Sequence, residues 1–202
     1  MAETINCGDS HPQGSALVFS ALFSFFSGLL ILIVLFFWTL PQTSAQAATP
    51  SRTVAVGIIS RELNAIMTPL KIKGASKKAT AYAKYIWEAH TKYGVDPFLV
   101  AALLCVESKG RADAKTKTCV GLMQISVPAN MQWIPKHFPK IKTTKDLLKP
   151  RNNIMVGAFI LAEATKGTST PRQALFKYLG RRDEQYASKV LGIADRMRSS
   201  KK

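Results

Sequence analysis

Glu107 closes the run Phe98-Leu99-Val100-Ala101-Ala102-Leu103-Leu104-Cys105-Val106, which holds no charged side chain. An ionised carboxylate is almost never buried without a partner, because taking its charge out of water is costly. Glu107 therefore either emerges into water at a helix end or lines a cleft that makes use of its odd surroundings. In the second case desolvation raises its pKa, and a carboxyl group still protonated near neutrality can deliver a proton and later take one back. Metal chemistry finds no such support. His90 and His137 stand alone, no His/Cys cluster has ligand spacing, and no cofactor is expected. Cys105 and Cys119 leave two readings open: a disulfide fastening the end of the Glu107 helix to the segment before Gly121, or two unpaired thiols with one acting as a small buried hydrophobe.

Helices must position these groups. Asp96-Pro97 is a start signal, with Asp as N-cap and Pro at the first helical position, and the helix that follows runs to about Ser108. It is apolar nearly all round, which predicts a central core helix. Tyr82, Tyr85, Ile86, Ala89 and Tyr93 recur every three or four residues in a helix over 76–93, which Gly94 stops. Val54 to Met67 carries a weaker helical pattern ended by Pro69, and Lys71 to Lys78 is a basic loop. Residues 112–120 are polar and irregular. Gly121 to Ile125 is a short extended piece or a tight entry to a helix that Pro128 opens. Lys136 to Lys145 is a second basic loop. Asp146 is read as a helix N-cap ahead of the inward-facing Ile154, Gly157, Ala158, Ile160 and Leu161. Thr170-Pro171 caps a helix through Tyr178, and a last helix spans Asp183 to Met197 with Tyr186, Val190, Ile193, Ala194 and Met197 on one face. Strand-like alternation is nearly absent, so the fold class is mainly α.

The 202 residues accommodate one domain plus an appendage. Ala16 to Leu40 is 25 residues without a charge. At ~1.5 Å per residue it spans roughly 37 Å, enough to cross a hydrocarbon core of ~30 Å. No Lys or Arg precedes it, which favours an uncleaved membrane anchor over a signal peptide cut after Ala45-Gln46-Ala47. The chain divides into a tail (1–15), the transmembrane or signal-anchor segment (16–40), a linker and juxtamembrane region (41–75), the helical domain (76–198) and a basic tail (199–202). Of 12 acidic residues only Glu3 and Asp9 precede the apolar run, so 28 basic and 10 acidic residues follow it, a net of +18. That charge draws polyanions. No zinc-finger spacing or basic heptad pattern accompanies it, and direct nucleic-acid recognition is not expected.

Glu107-Ser108, then Gly121-Leu122-Met123-Gln124, then Asn153-Ile154 with Gly157, then Tyr178 ahead of Tyr186 and Val190 resemble the lytic transglycosylase domain of SLT type, with its goose-lysozyme-like fold. The resemblance covers about residues 81–190. It implies a peptidoglycan lytic transglycosylase in which Glu107 protonates the MurNAc-GlcNAc glycosidic oxygen. Glu107 then takes the proton of the sugar's own C6 hydroxyl, leaving a 1,6-anhydro-MurNAc end. It implies that Gln124 hydrogen-bonds the sugar, that Tyr178 sets its hydroxyl against Glu107, and that Thr116 supplies the hydroxyl for which the family commonly has Ser. Ser108 holds substrate or, the better reading, finishes its helix; Met123 packs; Asn153 satisfies backbone groups in the core. Tyr178-Leu179-Gly180 departs from the family's Tyr-Asn-x-Gly.

One carboxylate suffices for that route, whereas hydrolysis usually needs a second. Asp113 is the nearest in sequence and is read as a solvated loop residue. Two alternatives remain: a hydrolytic muramidase, and an inactive peptidoglycan-binding module of an envelope secretion or conjugation complex. On the main reading the partners are glycan strands and, through residues 16–40, the cytoplasmic membrane. The domain then lies outside the cytoplasm in the periplasm, or is secreted if cut after Ala47.

Overall fold

The computed structural model describes residues 50–200. The apolar run Ala16–Leu40 lies outside the described residues; among those, no helix is long and apolar enough to cross a membrane. The elements are α1 (Arg52–Met67), α2 (Ala75–Tyr93), α3 (Pro97–Glu107), β1 (Cys119–Val120), β2 (Ile125–Ser126), α4 (Val127–Asn130), α5 (Ile134–His137), α6 (Thr144–Leu147), α7 (Pro150–Thr165), α8 (Pro171–Leu179) and α9 (Glu184–Ser199). The fold is mainly α, as the sequence predicted.

Helix α3 is the centre. Every residue from Pro97 to Cys105 is buried, with α1, α2 and α9 packed around it. Its start is the expected one: Asp96 Oδ1 accepts from Phe98 N at 2.8 Å, satisfying an orphan N–H of the first turn. Its end is fixed by Ser108. The hydroxyl donates to the Leu104 carbonyl and accepts from Gly110 N, each at 3.2 Å. Gly110 has φ +80°, and a Cβ there would meet Met67 Cγ at 2.6 Å, so the chain leaves α3 pressed against the end of α1. Each large side chain such as Leu103 or Leu104 contributes roughly 1.5–3 kcal/mol by burial, and the core helix is held mainly this way.

Two boundaries differ from the sequence reading. Helix α1 falls inside the stretch 41–75 read as linker, yet Ala55, Ile58, Ile59, Leu63 and Met67 are buried, and the helix packs on α2 and α3. It belongs to the domain. Asp146 is not an N-cap. Thr143 caps α6, accepting from Asp146 N, while the Asp146 carboxylate turns back to Thr143 N in a reciprocal capping box. Helix α7 starts separately at Pro150. The Cys105–Cys119 bridge is not formed: Cys105 is a free, buried thiol whose pKa burial pushes up to about 12.

Candidate active site

Glu107 stands at the last turn of α3, largely buried by the elements packed around that helix. Burial pushes its carboxyl from 4.5 up to about 7, and the Tyr186 hydroxyl pulls the other way by hydrogen bonding to it. That hydroxyl donates to Glu107 Oε1 at 2.5 Å. Tyr186 lies in the first turn of α9, where Asp183 Oδ1 accepts from Tyr186 N at 2.8 Å. The N-cap of α9 thus fixes the backbone of the residue that holds Glu107.

Opposite Glu107 is the turn between β1 and β2. The two strands pair antiparallel, Val120 with Ile125 and Cys119 with Ser126. Gly121 enters the turn at φ +82°, and a Cβ on it would lie 2.2 Å from Asn153 Nδ2. Asn153, fully buried on α7, accepts from Met123 N at 2.7 Å and donates to the Val120 and Leu147 carbonyls at 3.1 Å. Gly157, one turn on, lets α7 approach: a Cβ there would sit 2.6 Å from Met123 Cβ. The backbone role read for Asn153 is the one it plays.

Gln124 ends this turn at φ +46°, a left-handed conformation uncommon for a residue with a side chain. Its Nε2 donates to the Gly121 carbonyl at 2.9 Å and the Ala114 carbonyl at 3.2 Å. Those bonds consume its donors and leave Oε1 as the group with acceptor capacity.

Tyr178 departs from expectation. It is 1% exposed and its hydroxyl donates to the Met123 carbonyl at 2.9 Å, not to Glu107. Met123 therefore has its N–H held by Asn153 and its carbonyl by Tyr178, so two helices clamp one residue of the turn. Glu107's hydroxyl donor is Tyr186, which the helical periodicity had placed on a core-facing stripe. Nothing in spacing alone separates the two tyrosines. Leu179, in the place of the family's Asn, is buried, and Gly180 ends α8 at φ +80°.

Ser108 takes the second of its two readings, finishing its helix. It is 1% exposed, and both roles of its hydroxyl are taken by backbone groups, so it caps α3 and does not face a ligand. Thr116 is exposed, and its Oγ1 accepts from Cys119 N at 3.0 Å.

A cleft of about 370 Å³ brings together Glu107, Gln124, Thr116, Asp113, Arg111 and Lys115. Sequence reading had set Asp113 apart as a solvated residue. It is exposed, but it shares the cleft with Glu107. Two cations, Arg111 and Lys115, face the same space. Among the described residues no cluster of His, Cys, Asp or Glu could hold a metal.

Part of the chain is similar to known proteins. Residues 84–183 match the Transglycosylase SLT domain. The curated proteins to which the chain is similar include the endo-type membrane-bound lytic murein transglycosylase A of Salmonella paratyphi B, of Salmonella enteritidis PT4 and of Salmonella typhimurium. Each is 30% identical over 94 residues, covering 45% of this chain and 46% of the relative. The chain thus aligns with less than half the length of these relatives.

Proposed function

Residues 84–183 belong to the transglycosylase SLT family, and from that premise we propose that the chain is a peptidoglycan lytic transglycosylase with Glu107 as its one general acid and base. The observation that carries this reading is a partly buried carboxyl, raised to about 7, that faces a polar cleft with one hydroxyl donor on it. Protonated Glu107 gives its proton to the GlcNAc oxygen as the C1–O bond of MurNAc breaks. The C6 hydroxyl oxygen then bonds to C1 and returns a proton to Glu107. A 1,6-anhydro ring closes, no water is consumed, and the acid is regenerated. Tyr186 positions the carboxyl. Gln124 Oε1 accepts from a sugar N–H or O–H, and Thr116 lines the same wall.

One observation favours a second reading. Asp113 shares the cleft, and a second carboxylate is what hydrolysis with retention or inversion uses. The test is the full chain on purified sacculi, with Glu107→Gln beside it and mass spectrometry of the released muropeptides. Anhydro-muramyl ends from the native protein alone support the proposal. Ends heavier by one water assign a muramidase and implicate Asp113. Binding without release from either protein leaves a wall-binding module.

The substrate lies outside the cytoplasmic membrane, so the domain acts in the cell envelope. The run Ala16–Leu40 is the candidate anchor.

A further inference from the structure

We propose that the outward face of α1 and the loop after it form a docking surface for an anionic lipid bilayer. This face lies outside residues 84–183, so the family match does not account for it.

Val54, Gly57, Arg61, Ala65 and Thr68 are all exposed and follow one another at helical spacing, opposite the buried Ala55, Ile59, Leu63 and Met67. The stripe leads into Leu70, Lys71 and Lys73, then Lys77 and Lys78 in the first turn of α2, all exposed. Val54 is 44% exposed and Leu70 45% exposed; they are the two large hydrophobic side chains left open among the described residues. Val54 lies in the first turn of α1 and Leu70 in the turn just past its C-terminus, so the length of the helix, roughly 20 Å from Val54 to Met67 at ~1.5 Å per residue, lies between them.

Charge reinforces the pattern. Residues 50–87 hold seven Lys and Arg and one carboxylate, Glu62. Glu62 lies off the stripe and approaches Arg196 of α9 at 4.0 Å. None of Arg52, Arg61, Lys71, Lys73, Lys77, Lys78 and Lys84 makes an ion pair among the described residues. The surface is therefore cationic, almost free of acid, and tipped with apolar groups at both ends.

A glycan polyanion would complement the charge but gives Val54 and Leu70 no apolar medium to enter. An anionic bilayer supplies both: headgroup phosphates for the lysines, and acyl chains beneath them for Leu70 and Val54. Sequence length agrees. The uncharged run ends at Leu40, with 11 residues between it and Arg52, so a chain anchored there keeps α1 within reach of the headgroups. Docking would lay α1 along the surface and fix the height of the cleft above it.

The test incorporates the full chain into vesicles of phosphatidylcholine with or without phosphatidylglycerol and follows trypsin cleavage after Lys71 and Lys73. Cleavage after Arg181 and Arg182, in the exposed turn before α9, is the internal reference. Phosphatidylglycerol is expected to slow cleavage at Lys71 and Lys73 by roughly tenfold relative to the reference, and added salt to restore it. The double changes Val54→Ser with Leu70→Ser, and Lys77→Gln with Lys78→Gln, touch only exposed side chains and should each remove most of the protection. Equal cleavage ratios in the two vesicle types overturn the proposal. So does protection that follows added sacculi and not lipid composition, which assigns the face to a wall polymer.

Discussion

Helix α3 carries a carboxylate at each end, and the two have been given opposite surroundings. Asp96, at the N-terminus, accepts from Phe98 N and meets the Arg198 guanidinium of α9 while remaining in contact with solvent. Its charge is satisfied by backbone donors, a cation and the positive end of the helix. Glu107, at the C-terminus, is largely buried, has one neutral hydroxyl for a partner, and sits where the helix dipole opposes a negative charge. The same functional group thus serves architecture at one end and is held near neutrality at the other. The difference is made by the flanking elements: α9 supplies Arg198 to one end and Tyr186 to the other.

The sharpest way to break that comparison is Glu107→Gln. The amide keeps the shape and cannot transfer a proton, so release of muropeptides should fall by at least about 10³-fold, at the strong end of what general acid–base groups contribute. Binding to sacculi should survive. Activity that persists within tenfold of the native protein would put the proton donor elsewhere, Asp113 first.

The opposite end responds in stability. Asp96→Ala removes the cap of α3 and one partner of Arg198. The cap contributes ~0.5–2 kcal/mol, and the half-exposed ion pair adds only tenths after solvent screening. A loss of about 1–2 kcal/mol in denaturant unfolding is expected, with activity per folded molecule unchanged. A fall in activity without loss of stability would show that the two ends are not independent.

These two ends also differ in how legible they were. Asp96-Pro97, Thr170-Pro171 and Gly94 announce helix ends by local chemistry, and each element falls where the sequence put it. Glu107 was legible because a charge after nine residues without one has few explanations. Its partner was not. Tyr178 and Tyr186 are both aromatic residues on amphipathic helices, and only the rotation of α8 and α9 about their axes decides which hydroxyl reaches Glu107. That rotation is set by packing, with Tyr178 committed to Met123 O. Helix α1 was read as linker because its apolar pattern is weak, and its place in the core depends on residues in α2 and α3 that no local window contains. The left-handed Gln124 carries no sequence mark either, since nothing about glutamine favours φ +46°.

Glu107→Gln also inverts the stability comparison. Glu107's folded pKa of about 7 exceeds its ordinary value of 4.5, so the folded state prefers the protonated group. Its favourable contribution is complete below about pH 4.5 and is lost as pH rises through about 7. The amide has no charge to desolvate. At pH 8 the variant should be more stable than the native protein by about 3 kcal/mol, a rise in Tm of roughly 6–12 °C, and at pH 5 the gap should shrink to below about 1 kcal/mol. A gap that does not change with pH would mean that burial does not perturb Glu107.

The smallest expected effect is the most informative about Tyr186. Tyr186→Phe keeps the ring in place and deletes one hydroxyl. That hydroxyl stabilises the ionised carboxylate and so holds the pKa of Glu107 below what burial alone would give. Removing it raises the pKa further, and the alkaline limb of activity, which reports loss of the protonated acid, should move to higher pH. The rate at the optimum should fall by roughly tenfold, because a free carboxyl samples orientations that the hydrogen bond had excluded. A purely structural tyrosine would lower stability and leave the limb in place. Tyr178→Phe is the matched control. Its hydroxyl is tied to Met123 O, so it should loosen the 121–124 turn and weaken substrate binding with little change in the pH limb. If instead Tyr178→Phe moves the limb and Tyr186→Phe does not, the assignment of the two tyrosines is reversed.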